Sequence, residues 1–339
     1  MNVREDIIRE KIDPFLTDER ISAIAQLAFA ERGERGEEAA SAQNGPPRID
    51  KVGVLSGGCW NRVIGVSFSS GQPPIVCKIS PDDMDEKIIR EYRVLGYFAS
   101  RTNMSVPSPL LVDTSGELLP GTLLVMDRVP GVVLHRVFGL LDREMRDGLT
   151  DQIASQVIEL HKERGRGFGG VELSEERRYS NWAEFWLPRF DAVFGEIKDS
   201  GLVSDDMLER IARVRPRFPV ALDIGDRSTL THYDIWSGNV MVDFEGSGYP
   251  GRPFVSGYID IPGYWADYAR ELSFMEMFGI ADRRFYDRYW SVFPRDEDFQ
   301  LRKNIYNLKM HLKHVTMYPG ESYYRRGAES ALEFIQENL

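Results

Sequence analysis

Cysteine is almost absent: two thiols, Cys59 and Cys77, in a chain of 339 residues cannot build a disulfide framework. Long apolar runs are missing too. No stretch of ~18 consecutive apolar residues occurs, which argues against a membrane-spanning helix. Residues 1–12, where charges alternate with isoleucines, lack the apolar core of a signal peptide. Histidine is scarce, and the five present (His135, His161, His232, His311, His314) are not spaced as zinc ligands; His311 and His314 read as members of a packed helix. Positive charge is the minority: 42 Lys and Arg against 53 Asp and Glu leave a formal net charge of −11. Such a surface repels nucleic acid and weakly favours a cationic small molecule. We therefore expect a cytoplasmic protein, monomer or homodimer, with no nucleic-acid or membrane partner.

With 42% hydrophobic residues the chain can fill real cores, and its length suits two lobes rather than one small domain. Residues 18–31 read as an amphipathic helix, and residues 32–47 pass from charged to Gly/Pro-rich, as a connection does. From Val52 to Phe68 and from Pro74 to Ile79 the apolar period becomes two, with Gly57-Gly58 as a turn. A helical segment over about 83–99, an extended Val106–Pro109 and a short strand Leu123–Asp127 follow, broken by Val129-Pro130-Gly131. Helical spacing then covers roughly 142–162, 181–199 and 205–214, a β-region lies within 229–261, and the chain is helical again from Asp267. Strands first and helices afterwards, with a hairpin inside the helical half, predict an α+β protein of two lobes. The expected divisions are a helical extension and linker (1–46), a β-rich N-lobe (47–127) and a mostly helical C-lobe (128–339), with the hinge near Asp127–Gly131.

Three groups of residues carry chemistry. On the strand Ile75-Val76-Cys77-Lys78-Ile79, alternation sets Lys78 opposite the apolar face. On the next helix Glu91 shares a stripe with Ile88, Leu95 and Phe98, where an ionised carboxylate is costly without a cation. Taken alone, the two read equally well as a solvated lysine and a snorkelling glutamate. Ser56-Gly57-Gly58-Cys59-Trp60-Asn61 lies between two strands; its glycines suit a nest of N–H groups around phosphate, although such a pair is commonly a hairpin turn. The third group is the most specific: His232-Tyr233-Asp234, Asn239 five residues after the aspartate, and Asp260 ending the next strand. Phosphoryl transfer needs a carboxylate at the attacking hydroxyl and oxygen ligands for magnesium, and this triplet supplies both. All the pieces also occur in kinase order.

With those residues in view, the chain resembles the fructosamine-3-kinase (ketosamine kinase) family, within the aminoglycoside phosphotransferase and choline kinase group. His232–Asn239 is similar to its His-Gly-Asp-Leu-Trp-Ser-Gly-Asn loop, Gly57–Asn61 to its Gly-Gly-Cys/Ser-Ile-Asn loop, and Asn181–Arg189 to its Trp-x-x-Phe helix. Tyr268–Gly279 and the aromatic tail around Tyr306, His314 and Tyr323 follow it as well, so the resemblance covers about residues 50–325. Three departures stand out: Tyr233 and Ala266 replace glycines, and Glu271 replaces an aspartate.

The resemblance implies an α+β, two-lobed protein-kinase-like fold and an ATP- and magnesium-dependent transfer to a small-molecule hydroxyl of a sugar or ketosamine. The alternatives are an aminoglycoside or amino-sugar phosphotransferase and an inactive, kinase-like binding module. Only six residues separate Asp260 from Asp267, which leaves no room for a peptide-docking segment. The roles expected are catalysis by Asp234, nucleotide binding by Ser56, Gly57, Gly58, Asn61, Lys78, Glu91, Met126, Asp127 and Val129, and magnesium ligation by Asn239 and Asp260. Cys59, at a loop tip, is expected to be exposed and reactive, and Cys77 buried and inert.

Overall fold

The structure, a computed structural model, describes residues 12–34, 46–55, 61–80, 85–245 and 251–339. Ser56, Gly57, Gly58 and Cys59 therefore lie outside the described residues. The chain forms two compact units, one ending at Gly131 and including Ser256–Ile259, the other comprising Val132–Val255 and Asp260–Leu339.

The first unit contains helix α1 (Asp18–Glu34), strands β1 (Ile49–Val54), β2 (Arg62–Phe68) and β3 (Ile75–Ser80), helix α2 (Asp85–Arg101), and strands β4 (Pro109–Asp113) and β5 (Thr122–Asp127). The strands make one antiparallel sheet of order β1-β2-β3-β5-β4. Strand β4 was not foreseen; the extended stretch from Val106 continues into it. The alternation read from β3 holds: Ile75, Cys77 and Ile79 are buried and Lys78 faces the other way. Burial pushes the Cys77 thiol up to about 12, so it stays a protonated, packed side chain.

Helix α1 places Ile21, Ile24, Ala25, Ala28 and Phe29 in the same buried cluster as Ile64, Val66, Cys77, Ile79, Leu123 and Val125. Each fully buried aliphatic side chain of this kind contributes roughly 1.5–3 kcal/mol. Arg32 then grips Asp127 with two hydrogen bonds, at 2.9 and 3.1 Å. The division read from sequence set residues 1–46 apart, whereas the helix within them shares the core of the β-rich unit.

The second unit begins with β6 (Val132–Val133), followed by α3 (Arg143–Lys162), β7 (Gly169–Gly170), α4 (Trp182–Ser200), α5 (Asp205–Val214), β8 (Thr229–Thr231) and β9 (Val240–Asp243). After β10 (Phe254–Tyr258), whose residues from Ser256 on belong to the first unit, come β11 (Tyr264–Ala266), α6 (Tyr268–Met277), α7 (Arg283–Trp290), α8 (Phe299–Met317) and α9 (Ser322–Asn338). The helices start where side chains can take their unpaired N–H groups: Asp142 accepts from Met145, Asn181 from Ala183 and Asp267 from Ala269. Strands β6 and β9 pair antiparallel, and β7, β11 and β8 form a small sheet in that order. That small sheet fixes the segment between Asp260 and Asp267, and its three-residue β11 was too short to read by period.

A buried polar chain locks α4, α6 and α8 together. The Trp182 indole donates to the Tyr306 hydroxyl at 2.8 Å, which donates to Asp267 at 2.6 Å, and Arg302 donates to the same carboxylate at 2.7 Å. With every member hydrogen-bonded, such a network specifies one packing rather than several. Among the described residues, no helix is long and apolar enough to cross a membrane.

Candidate active site

In the first unit, the Lys78 ammonium lies 2.8 Å from the Glu91 carboxylate. Strand β3 and helix α2 thus bring the two together, which decides between the paired reading and that of a solvated lysine beside a snorkelling glutamate. The partly buried Lys78 side chain has a carboxylate partner, as a lysine removed from water requires. Asn61 accepts a hydrogen bond from the Ser80 hydroxyl through Oδ1, which fixes its amide at the start of β2. Met126 and Val129 are buried. The Asp127 carboxylate is engaged by Arg32, and the Asp127 backbone N–H donates to the Ser108 carbonyl at 2.9 Å. Nothing in the sequence marked Arg32 as its partner, 95 residues away.

In the second unit the loop from Thr231 to Val240 is held from several sides. The Gly263 N–H donates to the His232 carbonyl at 3.1 Å, and the Asp234 N–H donates to His232 Nδ1 at 3.2 Å. Tyr233 has a φ of 81°, a left-handed conformation that L side chains other than Asn and Asp seldom adopt. A glycine meets this requirement without strain, which gives a physical reason for glycine at this place in the resembling loop. Here two adjacent residues of α6 stabilise the strained peptide: the Tyr233 N–H donates to the Glu271 carboxylate, and Arg270 donates to the Tyr233 carbonyl at 2.8 Å. The Arg270 guanidinium also lies 3.8 Å from the centre of the Tyr233 ring, whose other neighbour is Tyr264, with centroids 4.5 Å apart.

Glu271 is wholly buried. It meets His161 Nε2 at 2.7 Å, and His161 Nδ1 meets the Tyr289 hydroxyl at 2.8 Å. Burial pushes its carboxyl up, but the hydrogen bond and charge of His161 and the Tyr233 N–H outweigh that and leave it below the usual glutamate range. Sequence reading noted Glu271 as a departure and assigned it no role. Arg270, His161 and Tyr289 carried no signal at all, because their contacts are made by tertiary register.

Asp234 and Asn239 meet directly. Asn239 Nδ2 donates to the Asp234 carboxylate at 2.8 Å and to its carbonyl at 3.0 Å. Because both partners are acceptors, the amide nitrogen must face them, and Oδ1 is turned to other use. The turn is tight: a Cβ on Gly238 would lie 2.4 Å from the Trp236 ring. Burial pushes the Asp234 carboxyl up to about 7; Arg270 pulls it down, Asp260 raises it, and the Asn239 bond lowers it. Asp260 itself has a φ of 53°, a left-handed conformation that aspartate tolerates better than tyrosine does.

Residues 34–337 match the fructosamine kinase family. The chain belongs to that family. Among curated relatives, the ketosamine-3-kinase of Mus musculus is 24% identical over 308 residues, covering 78% of this chain and 89% of its own. A Haemophilus somnus structure, solved as a candidate fructosamine-3-kinase, superposes with a TM-score of 0.67 at 16% identity, over 97% of this chain and 99% of the other. An ADP-bound aminoglycoside phosphotransferase, APH(2'')-Ib, gives 0.58 at 13% identity, over 90% of this chain and 96% of the other. At these identities the two structures show the fold, which is protein-kinase-like. As a fructosamine kinase family member the protein is a phosphotransferase that uses a nucleotide and acts on a hydroxyl of a small molecule.

Proposed function

We propose that this fructosamine kinase family member moves the terminal phosphoryl group of ATP onto a hydroxyl of a ketosamine or a closely related sugar. The observation that carries this reading is the Asp234–Asn239 pair, a carboxylate held at about neutral pKa beside an amide whose oxygen is turned to other use. Near neutrality such a carboxylate can take a proton and is still ionised often enough to act, which is what a general base needs. The acceptor oxygen bonds to the γ-phosphorus, the bond from that phosphorus to the β,γ-bridging oxygen breaks, and ADP leaves. The acceptor proton goes to Asp234 Oδ1 or Oδ2. Lys78, oriented by Glu91, holds the α- and β-phosphates, and the backbone from Met126 to Val129 receives the adenine. The loop Ser56–Asn61 covers the phosphates.

The residues present fit magnesium. Asn239 Oδ1 and the Asp260 carboxylate are hard oxygen donors, and Asp260 bears on the Asp234 carboxyl as a nearby negative charge. Among the described residues no group of three or more His, Cys, Asp or Glu could hold a metal. A site of one carboxylate and one amide suits an ion that keeps waters and binds phosphates. When bound, magnesium would neutralise the phosphate charge that builds up during transfer.

The test is ATP-dependent phosphorylation measured across a ketosamine, a neutral amino sugar, an aminoglycoside and choline. We expect the highest kcat/KM for the ketosamine. Transfer to the aminoglycoside with none to the ketosamine would replace this reading with the aminoglycoside alternative.

A further inference from the structure

Around Asp234 the second unit gathers positive charge from three helices. Arg270 on α6 is only 7% exposed, yet among the described residues no carboxylate stands within ion-pair distance of it. It donates to the Tyr233 carbonyl, reaches the Met310 sulfur at 3.8 Å and stacks on the Tyr233 ring. Next to Met310 on α8, Lys309 is half-buried and has neither a carboxylate partner nor a hydrogen bond among the described residues. Arg189 on α4 is exposed; its guanidinium stacks 3.7 Å from the centre of the Phe185 ring and donates to the Phe185 carbonyl. Phe185 packs on Tyr264 with centroids 5.7 Å apart, and Tyr264 packs on Tyr233. One turn beyond Lys309, Lys313 is already neutralised by Glu196 at 2.8 Å.

Like charges in a poorly solvated place repel, and the fold gains nothing from leaving them unanswered. Their proximity is felt: burial first, then the charges of Arg270, Arg189 and Lys313, push the Lys309 ammonium down to about 8, against a smaller upward pull from Glu196. The Arg270 charge is felt at Asp234, a carboxylate that the reaction needs for itself.

We infer that the acceptor carries an anionic group, a carboxylate or a phosphate ester, that docks on Arg189, Arg270 and Lys309 while a hydroxyl of the same molecule reaches Asp234. The inference rests on the kinase reading of Asp234 and narrows its acceptor. It reverses the expectation drawn from the net charge of −11. Distant surface carboxylates are screened within about 8 Å at physiological salt, whereas the buried Arg270 and half-buried Lys309 act on a ligand at close range through a weaker dielectric. The local field therefore decides.

The experiment uses the full chain with Mg-ATP and four 1-deoxyfructosyl amines, built on glycine, glycine methyl ester, phosphoethanolamine and ethanolamine. We expect kcat/KM for an anionic member to exceed that of its neutral counterpart by roughly tenfold or more, mainly through KM. The glycine and phosphoethanolamine arms tell carboxylate from phosphate. Lys309→Met should collapse the anionic-to-neutral ratio toward one, and Lys309→Arg should keep it. Equal values for charged and neutral acceptors in the unmodified protein, or a ratio that Lys309→Met leaves intact, overturn the inference while the kinase stands. Calorimetric titration with the two anionic compounds gives a readout independent of turnover. Binding that depends on Lys309 without any phosphorylation would keep the anion site and reject the kinase reading. Absence of both binding and turnover of the anionic compounds overturns the anion site.

Discussion

Lys78 and Asp234 are the two charged groups on which the proposed chemistry depends, and the protein treats them in opposite ways. Lys78, in the β-rich unit, is given a full counter-charge by Glu91 at 2.8 Å. Asp234, in the helical unit, is given an amide, a nearby second carboxylate and a backbone neighbour in a strained conformation. A group that only has to hold phosphate benefits from being fixed and fully ionised. A group that has to accept a proton benefits from being uncomfortable as an anion. The difference teaches that local stability and local reactivity have been assigned to different residues, one in each unit.

The contrast breaks most sharply at Asp234. Asp234→Asn should lower kcat by about 10²–10⁴-fold while leaving ATP binding nearly intact. It should also make the metal-free protein more stable. The folded-state carboxyl is raised to about 7, so its protonated form favours folding at low pH and that contribution is lost as pH rises through 7. The gain from Asn should therefore be largest near pH 8 and vanish below about pH 4, the ordinary carboxylate range. Thermal melts in EDTA across that range check it; a variant less stable than the original at pH 8 would show that Asp234 is not held at an energetic cost.

A smaller effect is expected on the other side of the comparison. Lys78→Met should raise the KM for ATP by roughly ten- to a hundredfold, as loss of a charge-assisted contact does, and should destabilise the fold by leaving Glu91 without its cation. The two variants thus move stability in opposite directions. If melts show Lys78→Met to be stabilising as well, the pair is a burden like Asp234 and the contrast fails.

The smallest effect sharpens rather than breaks it. Tyr233→Gly removes a left-handed strain of about 1–2 kcal/mol, but it also removes ring contacts with Tyr264 and Arg270 worth a comparable amount. We expect little net change in Tm and a changed ranking of acceptors with an unchanged KM for ATP. Identical acceptor profiles in steady-state kinetics would make Tyr233 a packing residue only.

What could be read in advance followed periodicity and spacing. The alternation of β3 and the stripe of α2 offered a Lys78–Glu91 pair as one of two equal readings, which the structure decides, and the five-residue step from Asp234 to Asn239 marked both residues without showing that the amide bonds the carboxylate. The fold class followed from the order of strands and helices. Other contacts were invisible because they join residues by tertiary register alone: Arg270 to Tyr233 across 37 positions, Arg32 to Asp127 across 95, and His161 to Tyr289 across 128. The strain at Tyr233 was half legible. A bulky residue in place of glycine could be seen, but the positive φ that makes it matter, and the Arg270 and Glu271 contacts that hold it, needed coordinates.

Helix α1 has a consequence for synthesis on the ribosome. Its apolar face finds its partners on strands that come much later, since Arg32 and Asp127 are 95 residues apart and Ile21 shares a cluster with Val125. At translation speeds of about 5–20 residues per second, the helix waits roughly 5–20 s with its greasy side uncovered. During that interval it is a natural client for whatever chaperone attends the tunnel exit. Silent codon changes that slow translation between residues 35 and 125 would lengthen the exposure and lower the yield of folded enzyme without altering a single side chain.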